Sequence, residues 1–172
     1  MREFSKSEWI WIKDNKADTY AEFLLEFEYK KNSSVKLRIA ADSDYAVYDE
    51  DELIAFGQYH DYPHYKVYDT IDLTRNVRQG HNVLKVLVWY YGIDYASTYC
   101  KDSPGVIFEV ECDGDLLQTS GKETLCRKNV NYRNGYLKKI TSQLGLSFQY
   151  DATQNNILKF FPAEINSDKR RN

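Results

Sequence analysis

Long apolar runs, paired cysteines and an excess of cationic side chains are all missing from this sequence, and each absence removes a class of function. No stretch approaches the roughly 20 consecutive apolar residues of a bilayer-spanning helix, so no membrane span is expected. The first eight residues, Met1 to Glu8, contain no apolar core of a secretory signal and read as a polar leader. Cys100, Cys112 and Cys126 make an odd set without Cys-x-x-Cys spacing, which argues against a disulfide framework or a zinc site. Small strand thiols in a reducing cytoplasm fit better. With 23 Lys and Arg against 26 Asp and Glu, the net charge is −3, and no basic field is present to hold a phosphate backbone. Lys169-Arg170-Arg171 is the single basic cluster, and its place near a terminus reads as a solvated tail. Nucleic acid and membrane are therefore not expected as partners.

What is abundant is aromatic. Fifteen tyrosines stand beside eight phenylalanines and three tryptophans, with one methionine. Aromatic and β-branched residues suit a pleated, half-buried surface, so the composition leans towards strands. It also leaves amphipathic rings over, able to line an interface or to stack on a sugar. A chain of 172 residues can bury one good core, but not two full domains.

The hydrophobic period is two along most of the chain. Trp9 to Ile12 reads as a short apolar strand. In residues 20–29, Phe23, Leu25, Phe27 and Tyr29 share one face and Glu22, Glu26 and Glu28 the other. After a turn at Asn32-Ser33-Ser34, Val35, Leu37, Ile39 and Ala41 alternate with Lys36 and Arg38, which predicts an antiparallel partner for that strand. Tyr45–Tyr48 and Leu53–Phe56 flank the acidic tip Asp49-Glu50-Asp51-Glu52 as a hairpin. Tyr65–Tyr68 reads as a further short strand, Asp72-Leu73-Thr74 as a turn, and Val83–Tyr90 as a strongly apolar central strand with Trp89 in the core. Val106–Glu111 and Asp115–Gln118 pair across Asp113-Gly114, and Thr124–Lys128 follows as a last edge strand. The fold class predicted is all-β, an antiparallel two-sheet sandwich or jelly roll. Its parts are a leader at 1–8, the sandwich at 9–128, and a short C-terminal extension or crossover towards another domain at 129–172.

Several of these elements, in this order, resemble the N-terminal β domain of bacterial α-L-rhamnosidases of glycoside hydrolase family 78, a galactose-binding-like sandwich. The resemblance is carried by Trp9-Ile10-Trp11, the run Ala40-Ala41-Asp42-Ser43-Asp44-Tyr45-Ala46-Val47-Tyr48, Tyr65 to Asp69, Asp72-Leu73-Thr74 and Gly80 to Leu84. Ser142-Gln143-Leu144-Gly145 and Tyr150-Asp151-Ala152 are similar to the family's exit from that domain. It spans residues 9–152, though Asp-Leu-Thr with Gly-x-Asn-Val-Leu also occurs in β-galactosidase-like and β-mannosidase-like enzymes. One departure is the acidic hairpin tip, where the family often has Asn-Gly. Since positive φ is costly for Glu, that departure predicts a different turn. The resemblance implies a non-catalytic accessory domain. The family's inverting hydrolysis, with its acid and base about 6.5–9.5 Å apart, belongs to an (α/α)6 barrel. No catalytic residue transfers to this chain.

Chemistry-bearing residues are few. Asp42 and Asp44 flank Ser43 at a strand end, where aspartates commonly make turn hydrogen bonds. His60 and His64 are four apart, but Pro63 between them argues against the helix that would make them a metal pair. No metal or other cofactor is expected. The strongest functional lead lies in two aromatic loops, one with Tyr59, His60 and Tyr62, the other with Tyr91, Asp94 and Tyr95. Flat rings beside carboxylates suit a saccharide, ring faces covering C–H patches while polar groups take hydroxyls. Three readings follow: an accessory domain docking on the remaining domains of a glycosidase, an autonomous module binding rhamnose-containing or other saccharides through these loops, and a protein-interaction module using a sheet edge.

Overall fold

Backbone alternation sorts the chain into two facing sheets with the apolar sides turned inward. The computed structural model describes residues 4, 6–30, 33–57, 61–95, 99–141 and 143–169. In chain order the strands are β1 (Ile10–Trp11), β2 (Thr19–Tyr29), β3 (Val35–Asp42), β4 (Asp44–Asp49), β5 (Glu52–Gly57), β6 (Asp69–Asp72) and β7 (Gly80–Tyr90). There follow β8 (Gly105–Cys112), β9 (Asp115–Thr119), β10 (Leu125–Lys128), β11 (Lys138–Thr141), β12 (Gly145–Ser147), β13 (Phe161–Pro162) and β14 (Glu164–Ile165). The first sheet runs β14-β1-β8-β3-β6, with β9 also on β8; the second runs β13-β10-β2-β7-β4-β5; β11 and β12 make a separate ribbon. All pairings are antiparallel. No helix of the described residues is long and apolar enough to cross a membrane.

The core lies between the sheets. Phe23, Leu25, Phe27 and Tyr29 of β2 and Leu84, Val86, Val88 and Tyr90 of β7 face Val35, Leu37, Ile39 and Ala41 of β3 and Val106, Phe108 and Val110 of β8. Every second residue is buried, as the period of two requires. Trp89 differs from its predicted place. Parity puts Val88 and Tyr90 inside, so Trp89 emerges on the outer face, half-buried, its ring stacked on Tyr20 at 5.1 Å. The pairing of β2 with β3 predicted from their adjacency is also replaced. β2 pairs with β7 over all eleven residues, whereas β3 pairs with β8, so β2 and β3 belong to opposite sheets.

Other boundaries move for identifiable reasons. Tyr65–Tyr68 is not a strand; the ladder starts at Asp69. Residues 61–68 are instead pinned by side chains, the Val67 amide donating to Asp61 Oδ2 at 2.6 Å and Tyr65 bridging Tyr62. β10 is not an edge, because β13 covers its free side. The chain passes from the second sheet to the first at buried Ala163, between β13 and β14, so one short segment closes an edge of each sheet. The acidic tip is a two-residue turn in which Glu50 does adopt a positive φ of 51°. Asp113-Gly114 behaves as its dipeptide predicts, with φ of 52° and 89°, the left-handed pair that suits a tight hairpin.

Candidate functional site

The loop end of the sandwich is built on the crossing from β3 to β4. Asp42 closes β3 in the first sheet, Ser43 intervenes, and Asp44 opens β4 in the second. Ser43 is held by its amide, which donates to the Trp89 carbonyl at 3.0 Å, and by its hydroxyl, which accepts from the Tyr91 amide at 3.1 Å. The two flanking carboxylates diverge. Asp44 accepts the Tyr91 hydroxyl, and Asp42 accepts the Tyr99 hydroxyl.

Asp42 is fully buried, and two lysines reach it from distant parts of the chain. Lys66 Nζ lies 3.3 Å and Lys169 Nζ 3.1 Å from Asp42 Oδ2. Lys66 also contacts Asp61 at 2.8 Å, and Lys169 contacts Asp102 at 2.7 Å. The result is a row of alternating charges, Asp61, Lys66, Asp42, Lys169 and Asp102. Buried charges are tolerated when each is paired and hydrogen-bonded, and here each is. Burial alone would lower the Lys66 pKa, but the Asp42 charge and the hydrogen bond to Asp61 outweigh it, so the ammonium is held above its ordinary value. The Tyr99 phenol is pushed up, first by burial and then by the Asp42 charge; Tyr91 is raised by burial and Asp44. Tyr90 is pushed up to about 12 by burial and the Asp42 charge.

A depression of about 330 Å³ opens over this row, lined by Trp9, Pro63, His64, Lys66, Asp102 and Lys169. The Lys169 ammonium sits 4.5 Å from the Trp9 ring centroid. Such an array clamps loops together, because each ammonium group is committed to two carboxylates from different parts of the chain. Among the described residues no three His, Cys, Asp or Glu side chains converge as a metal site would need.

The structure separates the residues singled out by sequence. Tyr59 and His60 lie outside the described residues. Tyr62 is 61% exposed and stacks on His64 at 5.6 Å. Tyr91 and Tyr95 are each 7% exposed and pack with Tyr99 in a small core of their own. The Tyr95 hydroxyl donates to the Thr141 carbonyl. Asp94 is exposed and accepts the Lys101 amide at 2.8 Å. The second aromatic loop thus packs its rings together, while Tyr62 of the first stands apart on the surface. Lys169, read from sequence as part of a solvated tail, has a side chain only 2% exposed. No local signal marks it, since its partners are contributed by remote loops.

Fold and site together define the class: a two-sheet β-sandwich whose loop end is fastened by a buried ion row. No protein-family model matches the sequence, and a search of the curated proteins finds no match. Solved structures do share the fold. The GH78 family rhamnosidase of Bacillus sp. GL1 superposes with a TM-score of 0.83 at 22% identity, over 96% of this chain and 18% of that one. The α-L-rhamnosidase from Dictyoglumus thermophilum gives 0.67 at 16%, over 95% of this chain and 21% of that one. The apo lectin of Pleurotus ostreatus gives 0.56 at 17%, over 94% and 42%. At such identities the likeness establishes the sandwich fold. The chain spans no more than 21% of the length of these two rhamnosidases.

Proposed function

We propose that this chain is a non-catalytic accessory domain of a rhamnosidase-type glycoside hydrolase. The observation that carries the reading is the superposition of 96% of the chain on an 18% portion of a GH78 rhamnosidase with a TM-score of 0.83. A part of that proportion is domain-sized, and its all-β architecture differs from the helical barrel to which the family resemblance assigns inverting hydrolysis. The surface supports the same reading. Leu53 and Phe56 on β5, with Leu144 and Ile157 beyond the sandwich, are large apolar side chains left in solvent. Exposed apolar groups of this size fit burial against the remaining domains of a parent enzyme. Three free cysteines fit a reducing, cytoplasmic setting.

The test is turnover of p-nitrophenyl α-L-rhamnoside by the purified chain. No release of nitrophenol above the buffer rate is expected. Saturable turnover that survives repurification would overturn the reading.

A further inference from the structure

We infer that the outer face of the second sheet carries a binding site for an uncharged saccharide, in the cleft between Tyr48 and Lys85 on the sheet and the Tyr132–Tyr150 segment that crosses it. This inference goes beyond the accessory-domain reading and does not rest on it.

The outer face of a sandwich sheet is flat until something is laid across it. Here residues 129–134 and 148–156 do so. Tyr132 bridges Tyr150, the Arg133 amide donates to the Gln149 carbonyl at 2.9 Å, and the Asp151 amide donates to the Asn131 carbonyl at 2.8 Å. This segment is anchored by a ring stack, Tyr132 lying on Tyr20 at 4.5 Å and 10°, with Trp89 stacked on the far side of Tyr20. Between it and the strands lies a cleft of about 490 Å³. A second depression of about 600 Å³ adjoins it and shares Asn131, Tyr132, Tyr150 and Gln154. The two Tyr rings, 4.9 Å apart, belong to the walls of both, so the combined space accommodates more than one sugar ring.

The cleft's chemistry selects the ligand class. Tyr48, Tyr132 and Tyr150 supply three phenol groups that make no hydrogen bond among the described residues, and the exposed Tyr150 ring supplies a face for C–H groups. Burial first, then Tyr48, Tyr150 and Glu22, pushes Tyr132 up to about 12, so it remains a neutral donor at neutral pH. Asn156 adds an amide whose Oδ1 is shut off from water and accepts no hydrogen bond among the described residues. Such an atom carries a standing penalty, which a ligand hydroxyl would relieve once the Asn156 amide turns towards the cleft. Charges in the wall balance: Glu22 pairs with Arg127 at 2.5 Å, and Asp51 and Lys85 offset each other in sign. A wall with two charges of each sign gives no reason to prefer an anion or a cation. Rings, hydroxyls and amides around a neutral cleft match a neutral sugar.

The experiment titrates the full chain, with tyrosine rings and backbone amides labelled for NMR, with methyl α-L-rhamnoside, lactose and cellotetraose. At least one is expected to give saturable shifts at Tyr48, Tyr132 and Tyr150 and at amides of residues 127–132 and 150–156. Two variants keep the outcome separate from misfolding. Tyr48→Phe removes one hydroxyl, and Tyr150→Ala removes a ring that is 54% exposed. Tyr150→Ala is expected to weaken binding about tenfold with an unchanged melting temperature. Absence of saturable shifts with all three sugars overturns the inference, as do shifts confined to residues 61–66 and 99–102, or Tyr150→Ala binding as tightly as the parent chain. Because the readout is binding and not turnover, its failure is distinguishable from failure of the accessory-domain reading.

Discussion

Asp42 is the residue on which the loop end depends. Its carboxylate is the shared acceptor for Lys66, Lys169 and Tyr99. Removing one partner of a buried ion pair leaves the other charges desolvated and short of compensation, typically at 3–5 kcal/mol. Lys66 and Lys169 retain Asp61 and Asp102, so Asp42→Asn is expected near the lower end, about 3 kcal/mol, by urea unfolding. Asp102→Asn, at the more exposed end of the row, should cost about 1 kcal/mol. Equal losses in the two variants would show that Asp42 is not the keystone. Alkali tests the same cluster. Lys66, Tyr91 and Tyr99 all have raised pKa values, so the folded state binds more protons than the unfolded state above about pH 10. Their contribution is complete below the unfolded values and is lost as pH rises through the folded ones. Stability should therefore decline from about pH 10 upward, with buried phenols ionising only in the unfolding step, seen as a cooperative rise in tyrosinate absorbance. A smooth titration of every tyrosine with no coupled loss of structure would contradict this. None of the row was legible in sequence beyond Asp42 as a strand-end acid. Its lysines come from positions 24 and 127 residues away, a distance across which composition and periodicity carry no information.

At the scale of elements, alternation told which residues face inward but not which strands are neighbours. The inward sets of β2 and β3 were readable because side-chain parity is a local property. The β2–β3 pairing was misread because a short connection can join strands within a sheet or carry the chain across the sandwich, and the hydrophobic pattern is the same in both cases. Trp89 was misassigned in a run so apolar that both parities looked buried. The Asp113-Gly114 turn was legible because it needs left-handed backbone that few residues supply; Glu50 adopts such a backbone without advertising it. Gly92, just after β7, is a case where conformation and space coincide. Its φ is 68°, and a Cβ there would stand 2.7 Å from the Ala17 Cα. Left-handed strain and a backbone clash together predict a loss on the order of 2–4 kcal/mol for Gly92→Ala. At Gly114, with φ of 89° but nothing within 4 Å of a Cβ, the same substitution should cost only about 1–2 kcal/mol. Thermal unfolding of the two variants side by side decides whether the Ala17 contact matters.

For the whole molecule, cooperativity should follow the pairing. β2 and β7 are the central strands of the second sheet and pair over eleven residues; β3 and β8 pair over eight and fill the middle of the first. Every inward side chain of these four strands joins one continuous core, so no one of them can open without exposing the others. The segment 161–165 adds short pairings to both sheets and ties their fates together. The β11–β12 ribbon is different: among the described residues its strands pair only with each other, and all four β11 side chains are in solvent. Among the described residues it is tied to the sandwich through Tyr95, whose hydroxyl donates to the Thr141 carbonyl, and through Leu146, which packs against the Tyr91, Tyr95 and Tyr99 rings. Amides buried in a common core exchange only by global unfolding, whereas those of a weakly attached ribbon exchange by local opening. Hydrogen exchange should therefore give one shared free energy for β2, β3, β7 and β8, within the roughly 5–15 kcal/mol usual for a domain, and values several kcal/mol lower for β11 and β12. Tyr95→Phe should lower the ribbon's protection further while leaving the core values in place. If the ribbon instead exchanges as slowly as β7, it belongs to the global unit, and the face it borders is a rigid part of the sandwich.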